Sequence, residues 1–575
     1  MTTYGSTSPE LFPALSRWRQ LSASERLADV VAGLITAALL VPQGMAYAML
    51  AGLPPQTGLY TALAPLLLYA LFGTSRVIAM GPMALTSLLV GETLRSENIP
   101  LSSFTNWAAI LALLVGGWLL VLYFFRLGRL INFVSPAVMQ GFTTASALMI
   151  VVSQLADLFG LPASSGNLLM RMMALAEQWQ QLSWSTPAFG ITALLALLVM
   201  KRWLTSLLSF LHIPSGAAEV LGKTGPLIAL IMALVIVPVW PAELARVGAI
   251  PAGLPLPVLP EFSLDALQSL WAPALGIALV NYVSAISVAE TLAAKHRERV
   301  YSQRELWVLG AANILAALTR GFPVTSGLGR AVVNDQAGSR TPLSSLFAAL
   351  TLVVILLFAT ALFAPLPQAV LAAIVIQAAW PLVNLMPLKR AWRYSRADGL
   401  AWAAAFIGVL LLGVMEGLAI GVGIALAQLL ARSSRPHIAE IGQLPDGGFR
   451  NRERFNVEIL PHLLMVRPDA DLHFANMGEL ERWINVHLAE REAVTDLVLV
   501  MSAVIHIDSA ALDMLERLEA RLAEQGITVY LAELRGPLKD QLAHTVFLET
   551  HRERVFFSTG HAWRSLTKED LAFQI

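Results

Sequence analysis

The chain has 575 residues, 56% of them hydrophobic and 14% charged, with 39 basic and 39 acidic side chains and a mean hydropathy of +0.65. So low a charge content, against about 25% in soluble domains, excludes an ordinary soluble fold. The balanced charge gives no electrostatic reason for a nucleic-acid partner, and the absence of cysteine excludes disulfides, thiolate metal sites and cysteine nucleophiles.

Residues 1–26 are polar and read as an amphipathic cytoplasmic lead-in, with no charged n-region before an apolar core and hence no cleavable signal. Apolar segments follow near 27–50, 56–73, 82–94, 106–124, 134–158, 186–200 and 224–240. A second set lies near 271–293, 305–319, 326–337, 342–364, 367–386, 398–414 and 416–431. From Thr341 to Leu388 there is no Asp, Glu, Lys or Arg at all. Runs of this kind, against the roughly 20 residues a span needs, predict a polytopic membrane protein lying in a lipid bilayer.

Segments 82–94 and 326–337 are too short to span at about 1.5 Å per residue. Each follows a Gly/Pro break, in "MGPMALTSLLVG" and "GFPVTSGLGRAVV", and each is third of seven in its half. Short, interrupted segments at matching positions predict an inverted-repeat transporter with two half-helices meeting at mid-membrane. The competing reading is a pair of ordinary kinked helices. With the N-terminus inside, the loops after even-numbered segments collect most of the cations, among them Arg76, Arg126, Lys201, Lys295, Lys389 and Arg393. Odd loops hold only Arg95, Arg171, Arg246 and Arg320. That bias predicts cytoplasmic termini.

After Arg432 the composition becomes that of a soluble domain. Strand, helix and strand are expected across "VTDLVLVMSAVIHIDSAALDMLERLEARLAEQGITVYLAEL", with an earlier helix near Asn476–Glu490. The expected division is a lead-in at 1–26, a transmembrane domain at 27–432, a linker at 433–455 and a cytoplasmic α/β domain at 456–575.

Three stretches resemble the SulP family of anion permeases: "VPQGMAYAMLAGLPPQTGLYTALAPLLLYALFGTSRVIAMGPMAL", "SVAETLAAKHRERVYSQRELWVLGAANILAALTRGFPVTSGLGRAVVNDQAG" and, in the tail, the STAS-like "HIDSAALDMLERL". The resemblance implies a seven-plus-seven inverted repeat in the inner or plasma membrane. Segments 1–4 and 8–11 would form a transport core and 5–7 and 12–14 a gate. It also implies a homodimer working by an elevator-like movement.

Residues carry their own argument. Two half-helix N-termini at mid-membrane, each with roughly half a positive charge, make an anion site without a metal or cofactor. Pro82 suits a first helical position, and Ser326 or Thr325 suits a cap. Gly327 and Gly329 leave the backbone open to a ligand, and Arg330 adds a full charge. Its competing role is a bridge to Asp335 or Glu290. Gln43 and Tyr47, four apart, share a helical face, and Gln43 is equally suited to an interhelical hydrogen bond. The resemblance places Gln43 in the anion pocket with Tyr47 as an aromatic wall. It completes a substrate-binding set of Met83, Ala84, Ser326, Gly327, Leu328, Gly329 and Arg330, with Met83 where some relatives have phenylalanine.

Many proton-coupled relatives carry a carboxylate where this chain has Ser284. Glu290, six residues on, is the nearest acid, and also reads as a surface partner of Lys295 or Arg297. Na⁺ and H⁺ are the coupling ions considered. Ser509 stands where STAS-like relatives can be phosphorylated, and equally suits a helix cap. Nothing resembles a phosphate loop, a zinc motif or an enzyme's nucleophile. The expected function is secondary active transport of a small oxyanion, sulfate by default, with bicarbonate, chloride or dicarboxylate as further substrates. The competing classes are an anion channel or exchanger on the same fold and a nucleobase permease.

Overall fold

The computed structural model describes residues 21–567, apart from 98, 129–134, 165, 213–217, 219–220 and 241–243. Most of the expected lead-in therefore lies outside the described residues. The chain divides into two compact units, Met1–Ala425 and Leu426–Ile575.

In the first unit, α1 (Ala23–Leu50) opens with a capping box in which Ser22 and Glu25 satisfy each other's backbone amides. Pro42 lies inside it. The helix α2 (Pro55–Phe72) crosses α1 so closely that a Cβ on Gly58 would stand 1.9 Å from the carbonyl oxygen of Gly44. A two-residue strand β1 (Met80–Gly81) leads into the half-helix α3 (Ala84–Ser96), about 20 Å long. Then come α4 (Phe104–Phe124), α5 (Pro136–Phe159), a short α6 (Leu168–Glu177), α7 (Ser185–Phe210) and α8 (Gly225–Ile236).

The second half repeats the plan. It has α9 (Leu264–His296), α10 (Ser302–Leu318), a strand β2 (Thr325–Ser326) and the half-helix α11 (Leu328–Gln336), about 14 Å long. It continues through α12 (Ser344–Phe358), α13 (Gln368–Ala379), a short α14 (Met386–Tyr394), α15 (Arg396–Leu411) and α16 (Val414–Ser433). Every expected segment corresponds to a helix, and α6 and α14 are additional. By length and composition alone, seven helical stretches among the described residues can cross a membrane, one of them, Gln368–Tyr394, running α13 and α14 together. Two shorter apolar helical stretches, Gly225–Val239 and Ser344–Phe358, lie among the others.

Packing falls into two groups. The helices α10 and α9 lie on α4, and α12 on α1, while α15 and α13 lie on α5, and α13 also on α7. The two groups also touch each other, since α13 lies on α1 and α3 on α5.

The second unit contains a six-stranded sheet. Its strands are β3 (Ile438–Gln443), β4 (Phe449–Asn451), β5 (Leu463–Pro468), β6 (Asp496–Val500), β7 (Thr528–Ala532) and β8 (Val555–Phe556). The strands β5 to β8 run parallel, and β3 pairs antiparallel with both β4 and β5. Between strands lie α17 (Met477–Ala489) and α18 (Ser509–Glu524), which buries Ala511, Leu515, Leu518 and Leu522. The linker expected at 433–455 is corrected, since it supplies β3 and β4. Ala439 and Ile441 bury their side chains, and buried Glu440 is held by Arg452 and Arg491. The cap of α18 is corrected too. Asp508 accepts from the Ala511 amide at 2.7 Å, which leaves Ser509 exposed on the first turn.

Candidate anion-binding site

The two half-helix leads meet as a minimal antiparallel ladder, Met80 opposite Ser326 and Gly81 opposite Thr325. In an apolar interior an unwound backbone must find hydrogen bonds within the protein, and the ladder supplies some of them. Buried side chains supply the rest. Asn313 accepts from the Val324 amide at 2.9 Å, and both Asn313 and Asn281 donate to the Val324 carbonyl at 3.1 Å. Thr325 donates to the Asn281 carbonyl at 2.8 Å, and Thr86 of α3 to the Asn281 side chain at 2.6 Å.

Each repeat also holds the other's lead. Thr61 of α2 accepts from the Phe322 amide at 3.0 Å. In return, Asn334 donates to the Val77 carbonyl at 3.0 Å and Ser345 to that of Ile78 at 3.3 Å. Glu305 of α10, itself buried, accepts from Tyr69 at 3.0 Å and from the amide and hydroxyl of Thr74. Sequence reasoning missed Asn281, Asn313, Asn334 and Glu305. Their signal was present: uncompensated polar side chains inside apolar helices require specific partners.

The helix starts differ slightly from expectation. Met83 is the N-cap of α3 and Gly327 that of α11, and neither has a side-chain cap. Pro82 thus precedes the helix, because the ladder with β2 keeps the chain extended for longer. Thr325 is committed to Asn281, and the buried Ser326 hydroxyl has no partner among the described residues. The first amides of each half-helix have no intrahelical acceptor.

Arg330 lies on the first turn of α11 and is only 3% exposed. Its Nη1 donates to the Pro82 carbonyl at 2.6 Å, while Nε and Nη2 are buried and unpartnered among the described residues. A Cβ added to Gly81 would stand 3.5 Å from Nη2, and one added to Gly327 would stand 3.7 Å from Cζ. The guanidinium therefore sits at the junction of both half-helix starts. The expected carboxylate bridge does not form: among the described residues Arg330 pairs with no carboxylate, and Asp335 is taken by Lys295 at 2.8 Å and His296 at 2.6 Å. Tyr47 is buried within electrostatic range of Arg330. Gln43 and Met83 are half-buried, and Ala84 is buried. Leu328 is 45% exposed, and a Cβ on Gly329 would meet nothing within 4 Å, so the first turn of α11 borders open space.

Two expected residues form no hydrogen bond or ion pair with this junction among the described residues. Ser284 is half-buried on α9, and Glu290 is exposed about 9 Å further along the helix. Glu290 is not paired with Lys295, which bonds Asp335 instead.

The sequence profile of the sulfate permease family matches residues 27–405. The chain belongs to that family. A STAS domain profile matches residues 454–561. A probable sulfate transporter of Mycobacterium tuberculosis, MT1781, is 33% identical over 560 residues, covering 96% of this chain and 97% of its own. Probable sulfate transporter 4.2 of Arabidopsis thaliana is 35% identical over 550 residues, covering 93% and 80% respectively. Among solved structures, murine Slc26a9, an anion transporter seen inward-facing, superposes with a TM-score of 0.87 at 24% identity, covering 98% of this chain and 96% of that one. The transmembrane domain of the cyanobacterial bicarbonate transporter BicA superposes with a TM-score of 0.58 at 21% identity, covering 71% of this chain and 98% of that one. These likenesses establish the fold: a helical membrane transporter with a STAS domain.

Proposed function

We propose that this member of the sulfate permease family carries a small oxyanion, sulfate first, by secondary active transport. The anion would bind between the N-termini of α3 and α11, with Arg330 as its counter-charge and Ser326, Gln43 and Tyr47 beside it. The observation that carries this reading is an arginine buried to 3% exposure with two free donors and no carboxylate among the described residues. An unpaired arginine at mid-membrane costs about 2.5–3.5 kcal/mol on insertion scales, which a bound anion would offset. The names of the sulfate-transporter relatives support sulfate, and that of BicA keeps bicarbonate as a competitor.

Alternating access would come from an elevator-like movement of α1–α4 and α9–α12 against α5–α8 and α13–α16. The two packing groups support that division. The protein would be a homodimer in the plasma or inner membrane with cytoplasmic termini, as the loop cations suggest. The second unit would regulate rather than form the path. Ser509, exposed on the first turn of α18, would be open to modification. The test is uptake of radiolabelled sulfate into proteoliposomes, competed with bicarbonate, chloride, fumarate and uracil. Flux that runs down the anion's own gradient without any coupling-ion gradient and does not saturate would favour a channel. Competition by uracil alone would favour a nucleobase permease.

A further inference from the structure

Among the described residues, each half of the transmembrane unit carries one short helix beyond its seven segments, and at the same place. The helix α6 lies between the fifth and sixth segments, and α14 between the twelfth and thirteenth. In an inverted repeat, matching connections lie on opposite faces of the membrane. Their chemistry is opposite as well.

In α6, "LLMRMMALAE", the exposed side chains include Leu169, Met170, Met172 and Met173. Its one cation, Arg171, is 2% exposed, paired with Glu92 and donating to the Gly166 carbonyl at 2.8 Å. In α14, "MPLKRAWRY", no cation is hidden. Lys389, Arg390 and Arg393 are exposed and form no ion pair among the described residues, and Arg396 follows at once. At about 100° per residue these three fall within roughly one quarter of the helix circumference. Trp392, on another side, packs against α15: a Cβ on Gly399 would stand 2.5 Å from its ring. Met386 and Tyr394 of α14, and Trp380 six residues before it, are exposed as well.

We infer that α14 is a docking surface for the headgroups of anionic phospholipids. Lys389, Arg390 and Arg393 meet phosphate oxygens, while Trp380 and Tyr394 sit at the level where aromatic side chains favour the interface. The corresponding α6 offers the other leaflet an apolar face and no free cation. The inference rests on the membrane embedding of the proposed function, and not on its anion or coupling. The alternative is that these cations only orient the chain in the membrane, without preferring any lipid. Lys201 and Arg202 on α7, also exposed, provide that comparison.

The test uses the full chain in phosphatidylcholine vesicles and compares the association of spin-labelled phosphatidylglycerol with that of spin-labelled phosphatidylcholine. A cation beside an anionic headgroup is worth up to about fivefold in association. The wild type is expected to prefer phosphatidylglycerol several-fold. The preference should fall toward unity in the triple variant Lys389→Gln, Arg390→Gln, Arg393→Gln. It should survive in Lys389→Arg, Arg390→Lys, Arg393→Lys, and in Lys201→Gln with Arg202→Gln. No preference in the wild type, an unchanged preference in the glutamine triple, or an equal fall in the α7 variant overturns the proposal. Should the glutamine triple not fold, the wild type at high salt decides. Screening must lower the preference, and a salt-independent preference overturns the proposal.

Discussion

Nη1 of Arg330 donates to the carbonyl oxygen of Pro82 at 2.6 Å, so the cation of the second repeat is tied to the half-helix lead of the first. One donor fixes the guanidinium, and two remain for a ligand. Arg330→Ala is expected to weaken anion binding about ten- to a hundredfold, the worth of a charge-assisted hydrogen bond, with near-normal expression. Arg330→Lys keeps the charge but loses the planar fork, and should recover only part of the affinity. Binding isotherms with purified protein check both. Unchanged affinity in well-folded Arg330→Ala removes the residue from the site.

The buried hydroxyl of Ser326 has no partner among the described residues. Removing an unsatisfied buried group does not destabilise, whereas removing a ligand's donor weakens binding by about 1 kcal/mol, or fivefold. Ser326→Ala is therefore expected to lower anion affinity severalfold. The melting temperature measured without anion should be unchanged or higher. A lower melting temperature with unchanged affinity would make the hydroxyl structural.

Glycines separate the scaffold from the site. A Cβ on Gly58 would meet backbone at 1.9 Å, so Gly58→Ala must push α1 and α2 apart and is expected to abolish folded protein in size-exclusion profiles. Gly329→Ala meets open space and should fold, with its effect confined to transport. If Gly58→Ala behaves like wild type, the close crossing of α1 and α2 is not required.

These contrasts also show what was legible in the sequence. The half-helices were visible because an apolar run of a dozen residues after a Gly/Pro break is too short to cross a bilayer and must stop part-way. Their first residues were not, since the Met80–Ser326 ladder joins strands from distant parts of the chain and no local pattern reports it. Arg330 stood out as a charge in an apolar repeat, yet its freedom from Asp335 depends on Lys295 and His296, which only tertiary structure brings there. The helices α6 and α14 were lost because nine or ten residues give too few turns for a reliable period. The strands β3 and β4 were hidden by charge, since Glu440 reads as a surface residue until the two arginines that hold it in the interior are known.

That buried carboxylate gives a stability prediction for the second unit. Removing one partner of a buried, paired charge costs about 3–5 kcal/mol, because the other charges are left behind. Glu440→Ala, which leaves Arg491 uncompensated, is expected to lower the denaturant midpoint of unit 426–575 markedly. A change within error would show that water replaces the pair. For the same reason a truncation meant to test regulation must begin before β3, near Ser434. Deleting 440–575 would cut that strand.

The same unit has a defined acid response. The backbone amides of Phe474 and Ala511 donate to Asp508 and hold its carboxyl below the usual carboxylate range. A depressed folded value means the stabilisation is fully present above the unfolded carboxylate pKa and is lost as pH falls through the folded one. Asp508→Asn keeps a cap but cannot titrate, so stability of the unit should become flatter with pH on the acid side. An identical acid slope in both proteins would assign the effect to other carboxylates.

Coupling is the boldest expectation. A proton carrier needs a carboxylate whose environment raises its affinity for protons, usually by burial. Glu290 is exposed on α9, and the Ser284 hydroxyl does not titrate near neutrality. Exchange, or coupling to a cation such as Na⁺, is therefore expected over strong proton symport through this position. The measurement is initial uptake across a range of external pH, with and without Na⁺, under a clamped potential. Strong stimulation by an inward proton gradient that Glu290→Gln abolishes would make Glu290 the carrier despite its exposure. Stimulation that survives Glu290→Gln would move the coupling site to another carboxylate, with Glu305 the first candidate. It is buried in α10 and bonded to the neutral donors of Tyr69 and Thr74, so a proton taken up there would loosen the lead into the first half-helix.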